Sequence, residues 1–233
     1  MQSQKEMPAS KLALVLVGFP VVSTLLSLLL LERSLLSWTG LEFFPAFWLL
    51  ITGWYALQIA LLGRVLRSAG WRWSDIGYGF DRRKTAWFVG GYLLFAAALV
   101  GFVEFALAGA ASDPEKLKAL SDLSNLTPKT TAARVVFVCM GLAAGLCEEL
   151  VYRGFAIAGL KSRGLNQWFA IPLAAIPFVF QHGLKSLDQF WWFFTWGLVF
   201  GVIYVLAKKL YANIVIHWLV ILSALLAVLQ TLR

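Results

Sequence analysis

The chain has 233 residues, of which 60% are hydrophobic and only 14% charged, with a formal net charge of +8. A water-soluble domain carries about 45–50% apolar and about 25% charged residues, so the soluble classes are excluded. A transmembrane barrel is excluded as well, because no segment alternates polar and apolar positions in the way barrel strands require.

Seven apolar runs are read as spans, at roughly 12–31, 43–62, 86–107, 135–160, 168–182, 190–207 and 211–229. Most approach the roughly 20 residues needed to cross the hydrocarbon. The first is too long for a cleavable signal peptide and lacks a small-residue cleavage site after it. The fifth is short and carries Pro172 and Pro177. Pro172 suits a first helical turn, so the helix opens either near Trp168 or at Pro172, and the sequence leaves both starts open. With an extra short helix, the fold expected is an all-α, polytopic transmembrane bundle of seven or eight spans around a hydrophilic intramembrane cavity. Residues 1–233 form a single membrane-embedded domain in this reading.

The basic residues sort by loop. Twelve lie on one side (Lys5, Lys11, Arg64, Arg67, Arg72, Arg82, Arg83, Lys84, Lys161, Arg163, Lys208, Lys209), and seven on the other. The excess places the N-terminus and the 63–85 loop in the cytoplasm. The positive charge is thereby topology, and nucleic acid is not expected as a partner. Trp71-Arg72-Trp73 in that loop reads as an interfacial anchor. The 109–133 loop reads as a polar surface connector with a short helix over 115–123. Cys139 and Cys147, eight residues apart in one run, cannot pair within a helix, and no CxxC spacing occurs.

Charged groups at membrane depth are costly and mark function. The fourth span holds Glu148, Glu149 and Arg153; the fifth ends in His182, and the seventh contains His217. Glu104, near the end of the third span, reads as interfacial. At about 100° per residue, Glu149 and Arg153 share a helix face, while Glu148 points about 100° away. Arg153 can therefore neutralise Glu149 and leave Glu148 free to face something else. Phe178 and His182 share a face by the same rule. His182 matches the depth of Glu148 only if its helix opens at Pro172. A carboxylate and two imidazoles can activate a water as a general base and stabilise an oxyanion. The same three side chains can instead hold Zn²⁺ with its water, although no HExxH is present. A proton-relaying transporter would use Glu148 and His217, but neither repeated halves nor paired broken helices are visible.

Glu148-Glu149-xxx-Arg153, then Phe178-xxx-His182, then a further span with His217, resembles the CPBP family of intramembrane endopeptidases. That family covers CAAX prenyl endopeptidases and bacteriocin-processing or self-immunity proteins, also labelled Abi. The similarity extends to Trp73-Ser74-Asp75-Ile76-Gly77, to Gly197 and Gly201, and to the Lys208-Lys209 turn, so it covers about 70–220. The resemblance implies that Glu148 is the water-activating base, His182 its partner in water activation, and His217 the oxyanion-side donor. Glu149 and Arg153 become the supporting pair. It implies proteolysis of a membrane-associated protein or peptide, with the lipid bilayer as surroundings. A short chain without organelle-targeting features points to a bacterial cell membrane. One carboxylate with two imidazoles, and no pattern of outer groups to orient them as ligands, favours glutamate-activated water without a cofactor. The alternative with Zn²⁺ would use Glu148, His182 and His217. One position departs from the pattern: the Asn or Asp usual four residues after the last His is Ile221 here. Asn213, four residues before His217 and on the same face, is the candidate to compensate. Ile221 also motivates a second expectation, a weakly active or inactive homologue serving self-immunity or regulation.

Overall fold

The computed structural model describes residues 5–31, 39–79 and 130–230, with isolated positions between 83 and 101. Every regular element among the described residues is helical. Helix α1 (Ala9–Ala13) continues through a π-turn (Leu14–Gly18) into α2 (Phe19–Leu31), and α3 (Phe43–Ser68) follows. Helix α4 (Thr131–Glu148) passes through a π-helical stretch (Glu149–Phe155) into α5 (Ala156–Ser162). Then come α6 (Gln167–Gln181), α7 (Phe190–Ala207) and α8 (Leu210–Gln230).

Four stretches are long and apolar enough to cross a membrane: Ala9–Leu28, Phe43–Ser68, Thr131–Ser162 and Phe190–Ala207. Two shorter apolar helices, Gln167–Gln181 and Leu210–Leu222, match the fifth and seventh expected spans. Most of the expected span 86–107, with Glu104, lies outside the described residues, as do residues 109–129 with the helix expected over 115–123. Alongside an apolar core that includes Leu62, Phe155 and Phe200, the interior holds charge: Glu148, Glu149 and Arg153 are buried, while Leu14, Val17, Trp191 and Leu206 are exposed. Apolar surface of that kind belongs against lipid, and charge inside the bundle is charge kept out of it. With the apolar helices, it describes a multi-pass membrane protein.

Helix α3 packs on α4, α6 on α7, and α8 closes against both α4 and α7. Close approach depends on small residues, as in membrane bundles generally. A Cβ on Gly145 would stand 2.4 Å from Cδ1 of Trp218, so α8 meets α4 only because that position lacks a side chain. The Gly197/Gly201 spacing serves the same purpose, facing Ala175 and Ile171 of α6.

The structure decides between the two starts open for α6 and corrects one local expectation. Helix α6 opens at Gln167, next to the Trp168 start, because the Asn166 side chain accepts the Trp168 N–H at 2.9 Å and caps the first turn. Both prolines lie inside the helix, which ends at Gln181 with His182 as its cap. Trp71 is not an interfacial anchor. It is buried, and its indole N–H donates to the Lys5 carbonyl at 3.0 Å. This contact fastens the N-terminal residues, whose Met7 N–H donates to Ser162 Oγ at 2.9 Å. Both cysteines are free, Cys139 exposed and Cys147 buried.

Candidate active site

The site assembles where α4 turns π-helical. In a π-helix the ring closed by each hydrogen bond is one residue wider, and such turns recur at functional sites. Here Glu149 and Arg153 sit one above the other, with NH1 of Arg153 3.2 Å from Oε1 of Glu149. The guanidinium lies between two aromatic faces, 4.0 Å from the Phe178 ring centre and 5.0 Å from that of Phe200. Those contacts suit a planar, weakly hydrated cation and keep it inside the bundle. Phe178 therefore does more than fill space between helices.

Glu149 is surrounded. Its Oε1 also meets Nδ1 of His217 at 2.8 Å, and its Oε2 accepts from Asn213 Nδ2 at 3.1 Å. The same Asn213 nitrogen donates to the Phe200 carbonyl at 2.7 Å, so its amide is turned toward Glu149 and α7. The Asn213 contact is with the supporting carboxylate; the partners of Glu148 are other residues.

Glu148 is the contrary case. Buried like its neighbour, it accepts one hydrogen bond among the described residues, from Tyr55 Oη to Oε1 at 2.6 Å. Its Oε2 accepts no hydrogen bond among the described residues. Two imidazoles face it beyond hydrogen-bond length: Nε2 of His182 is 3.7 Å from Oε1, and Nε2 of His217 is 3.5 Å from Oε2. Each ring is fixed through its other nitrogen. Nδ1 of His182 is 3.0 Å from the Phe178 carbonyl, which can only accept, so Nδ1 carries the hydrogen. His217 is held by Glu149 and by stacking on Phe200, with ring centres 5.0 Å apart. His182 stacks on Phe193 at 4.1 Å.

Glu148, His182, His217 and Tyr55 lie on the wall of a pocket of about 680 Å³. The remaining lining is mostly apolar and aromatic, including Trp48, Trp192, Trp196 and Ile221. The pocket thus has a polar patch and an apolar remainder, which narrows the expectation of a hydrophilic cavity. Among the described residues no group of three His, Cys, Asp or Glu is arranged to hold a metal ion.

Residues 130–223 match the family model described as type II CAAX prenyl endopeptidase Rce1-like. That match supports membership of the CPBP family. All six residues singled out from the sequence (Glu148, Glu149, Arg153, His182, Asn213 and His217) fall inside this CPBP segment. The match supports a CAAX-protease-like intramembrane protease, and with it a membrane-associated substrate. No curated protein and no solved structure matches the chain. The CPBP segment starts at 130, so the Trp73–Gly77 similarity lies ahead of it.

The structure brings Glu148, His182 and His217 together from α4, the end of α6 and α8, and stacks Glu149, Arg153 and Asn213 behind His217. Sequence reasoning misses Tyr55, which reaches the site from α3, outside the CPBP segment. The one signal for it is Gln58, a polar residue one turn further along the same apolar run.

Proposed function

We propose that the protein is an intramembrane endopeptidase of the CAAX-protease-like type, hydrolysing a peptide bond of a membrane-associated protein or peptide with water activated by Glu148. The observation that carries this reading is a buried glutamate whose Oε2 accepts no hydrogen bond among the described residues, beside two fixed imidazoles on a pocket wall. A buried carboxylate oxygen without a donor is costly unless something is meant to fill the place. In this reading the reacting water enters from the pocket, where Glu148, His182 and His217 share the wall.

In the proposed reaction the water oxygen attacks the scissile carbonyl carbon while Oε2 of Glu148 takes its proton. His182 accepts the water's second hydrogen bond at Nε2. His217, backed by Glu149 through Nδ1, donates from Nε2 to the developing oxyanion. Arg153 and Asn213 hold Glu149 and so fix the ring. When the C–N bond breaks, Glu148 returns the proton to the leaving nitrogen, giving a carboxylic acid and an amine. Every step uses side chains and water, without a metal. The wider reading places the site in a bundle of seven or eight spans in a bacterial cell membrane, with the N-terminus in the cytoplasm.

Ile221 supports a second reading, a non-catalytic homologue in self-immunity or regulation, because an apolar side chain lines the pocket where the family resemblance calls for an amide. One experiment separates the two. Peptide termini are mapped in membranes from cells carrying the wild type or Glu148→Ala, with and without chelator. New termini that require Glu148 and survive chelation are expected. Identical termini in both strains would overturn the protease; termini lost on chelation would overturn the metal-free mechanism.

A further inference from the structure

We propose that Tyr55 is a positioning residue for the reaction, reaching the site from outside the family segment and assigning different tasks to the two oxygens of Glu148. The inference rests on the protease reading above. A lone carboxylate can rotate about its last bond and present either oxygen. Here the Tyr55 hydroxyl donates to Oε1 at 2.6 Å, within the range of charge-assisted O–H···O bonds. Tyr55 is buried and sits on the pocket wall. Oε1 is therefore held, and Oε2, which accepts no hydrogen bond among the described residues, faces Nε2 of His217 at 3.5 Å. The hydrogen bond thus selects the oxygen that takes the proton and holds it beside the ring that faces the oxyanion.

The phenol is fixed in turn by how α3 lies on α4. One turn beyond Tyr55, Gln58 Oε1 accepts from Cys147 Sγ at 3.5 Å, so neighbouring residues of both helices are paired. These two contacts have different consequences. The Gln58 contact joins the helices without reaching Glu148, whereas the Tyr55 contact ends on it. Loss of the Tyr55 hydroxyl should therefore damage turnover, and loss of the Gln58 amide should not. A misplacement of about 1 Å at a reacting group costs on the order of 10²-fold in rate.

The test uses the full chain in detergent micelles and an internally quenched peptide spanning a cleavage site found by the terminus mapping. Tyr55→Phe is expected to lower kcat on the order of 10²-fold with KM changed less than about twofold. Gln58→Leu is expected to leave both near wild type. The carboxylate infrared band that disappears in Glu148→Gln should move in Tyr55→Phe and stay in place in Gln58→Leu. A 3-fluorotyrosine at 55 keeps the shape while strengthening the donor, and should change kcat as well. Unchanged kcat in Tyr55→Phe, or an equal fall in Gln58→Leu, would overturn the role of Tyr55 and leave the protease standing. Absence of Glu148-dependent cleavage by the wild type would overturn both.

Discussion

Three helices each place two consecutive residues on opposite sides of one wall. Tyr55, Glu148 and His182 face the pocket; their neighbours Trp54, Cys147 and Gln181 face a second polar cluster behind it. In that rear cluster Ser23 Oγ donates to Gln181 Oε1 at 2.9 Å and accepts from Trp54 Nε1 at 2.7 Å. Tyr152 Oη donates to the same Gln181 oxygen at 2.7 Å, and Gln58 Nε2 reaches Ser23 at 3.4 Å. The rear cluster is made of uncharged side chains, and none of these residues lines the pocket. The front cluster is ionic, with oxygens of Glu148 and Asn213 left without donors. The difference separates two uses of polarity in a membrane bundle. Neutral groups that satisfy one another tie helices together, while a charged group kept short of partners is poised for a reactant.

The largest expected effect comes from breaking the ionic side. Removing one member of a buried ion pair leaves an uncompensated charge, at about 3–5 kcal/mol. Arg153→Met should lose about that much, measured by unfolding in detergent micelles, with activity lost alongside because His217 loses its backing. The double variant Glu149→Gln, Arg153→Met removes both charges and should regain part of the stability but none of the turnover. A double variant no more stable than Arg153→Met would mean that the guanidinium acts through Phe178 and Phe200, not through Glu149.

The ionic side is also the legible one. Charge is rare within apolar runs, so Glu148, Glu149, Arg153 and the two histidines stand out in the sequence, and the i, i+4 spacing pairs Glu149 with Arg153. The four long apolar helices are visible for the same compositional reason. Neutral polar residues carry little cost in a span, so Ser23, Gln58, Gln181 and Tyr152 give no comparable signal. Tyr55 is hidden by company, one aromatic among many in an apolar run, and only the pairing of α3 with α4 puts it on Glu148. The start of α6 falls earlier than its prolines suggest because the Asn166 cap, a local side-chain choice, outweighs the preference of proline for a first turn.

A smaller effect is expected at Asn213, which joins Glu149 to the Phe200 carbonyl. A hydrogen bond to a charged group is worth about 1.5–3 kcal/mol, and Asn213→Ala should lose stability in that range. Because its amide is committed to the supporting carboxylate, its effect on catalysis passes through His217. Turnover should fall roughly tenfold, short of the complete loss in His217→Ala. Full activity in Asn213→Ala beside an inactive His217→Ala would remove Asn213 from the mechanism and make Ile221 an uncompensated departure.

The smallest effect probes the rear cluster, where the comparison is sharpest because the change should be felt in stability alone. Ser23→Ala deletes one donor to Gln181 and the acceptor shared by Trp54 and Gln58. Interhelical hydrogen bonds in membrane proteins average about 0.6 kcal/mol, because the separated helices also find partners. Gln181 Oε1 keeps the Tyr152 hydroxyl, so its oxygen is not stranded. A loss of about 0.6 kcal/mol in micelle unfolding, with the rate of peptide cleavage unchanged, is therefore expected. A fall in rate would mean that the wall transmits, and that the positions of His182 and Glu148 depend on the neutral side of their own backbone. The two clusters would then form one network, and the division of labour between consecutive residues would fail at its simplest point.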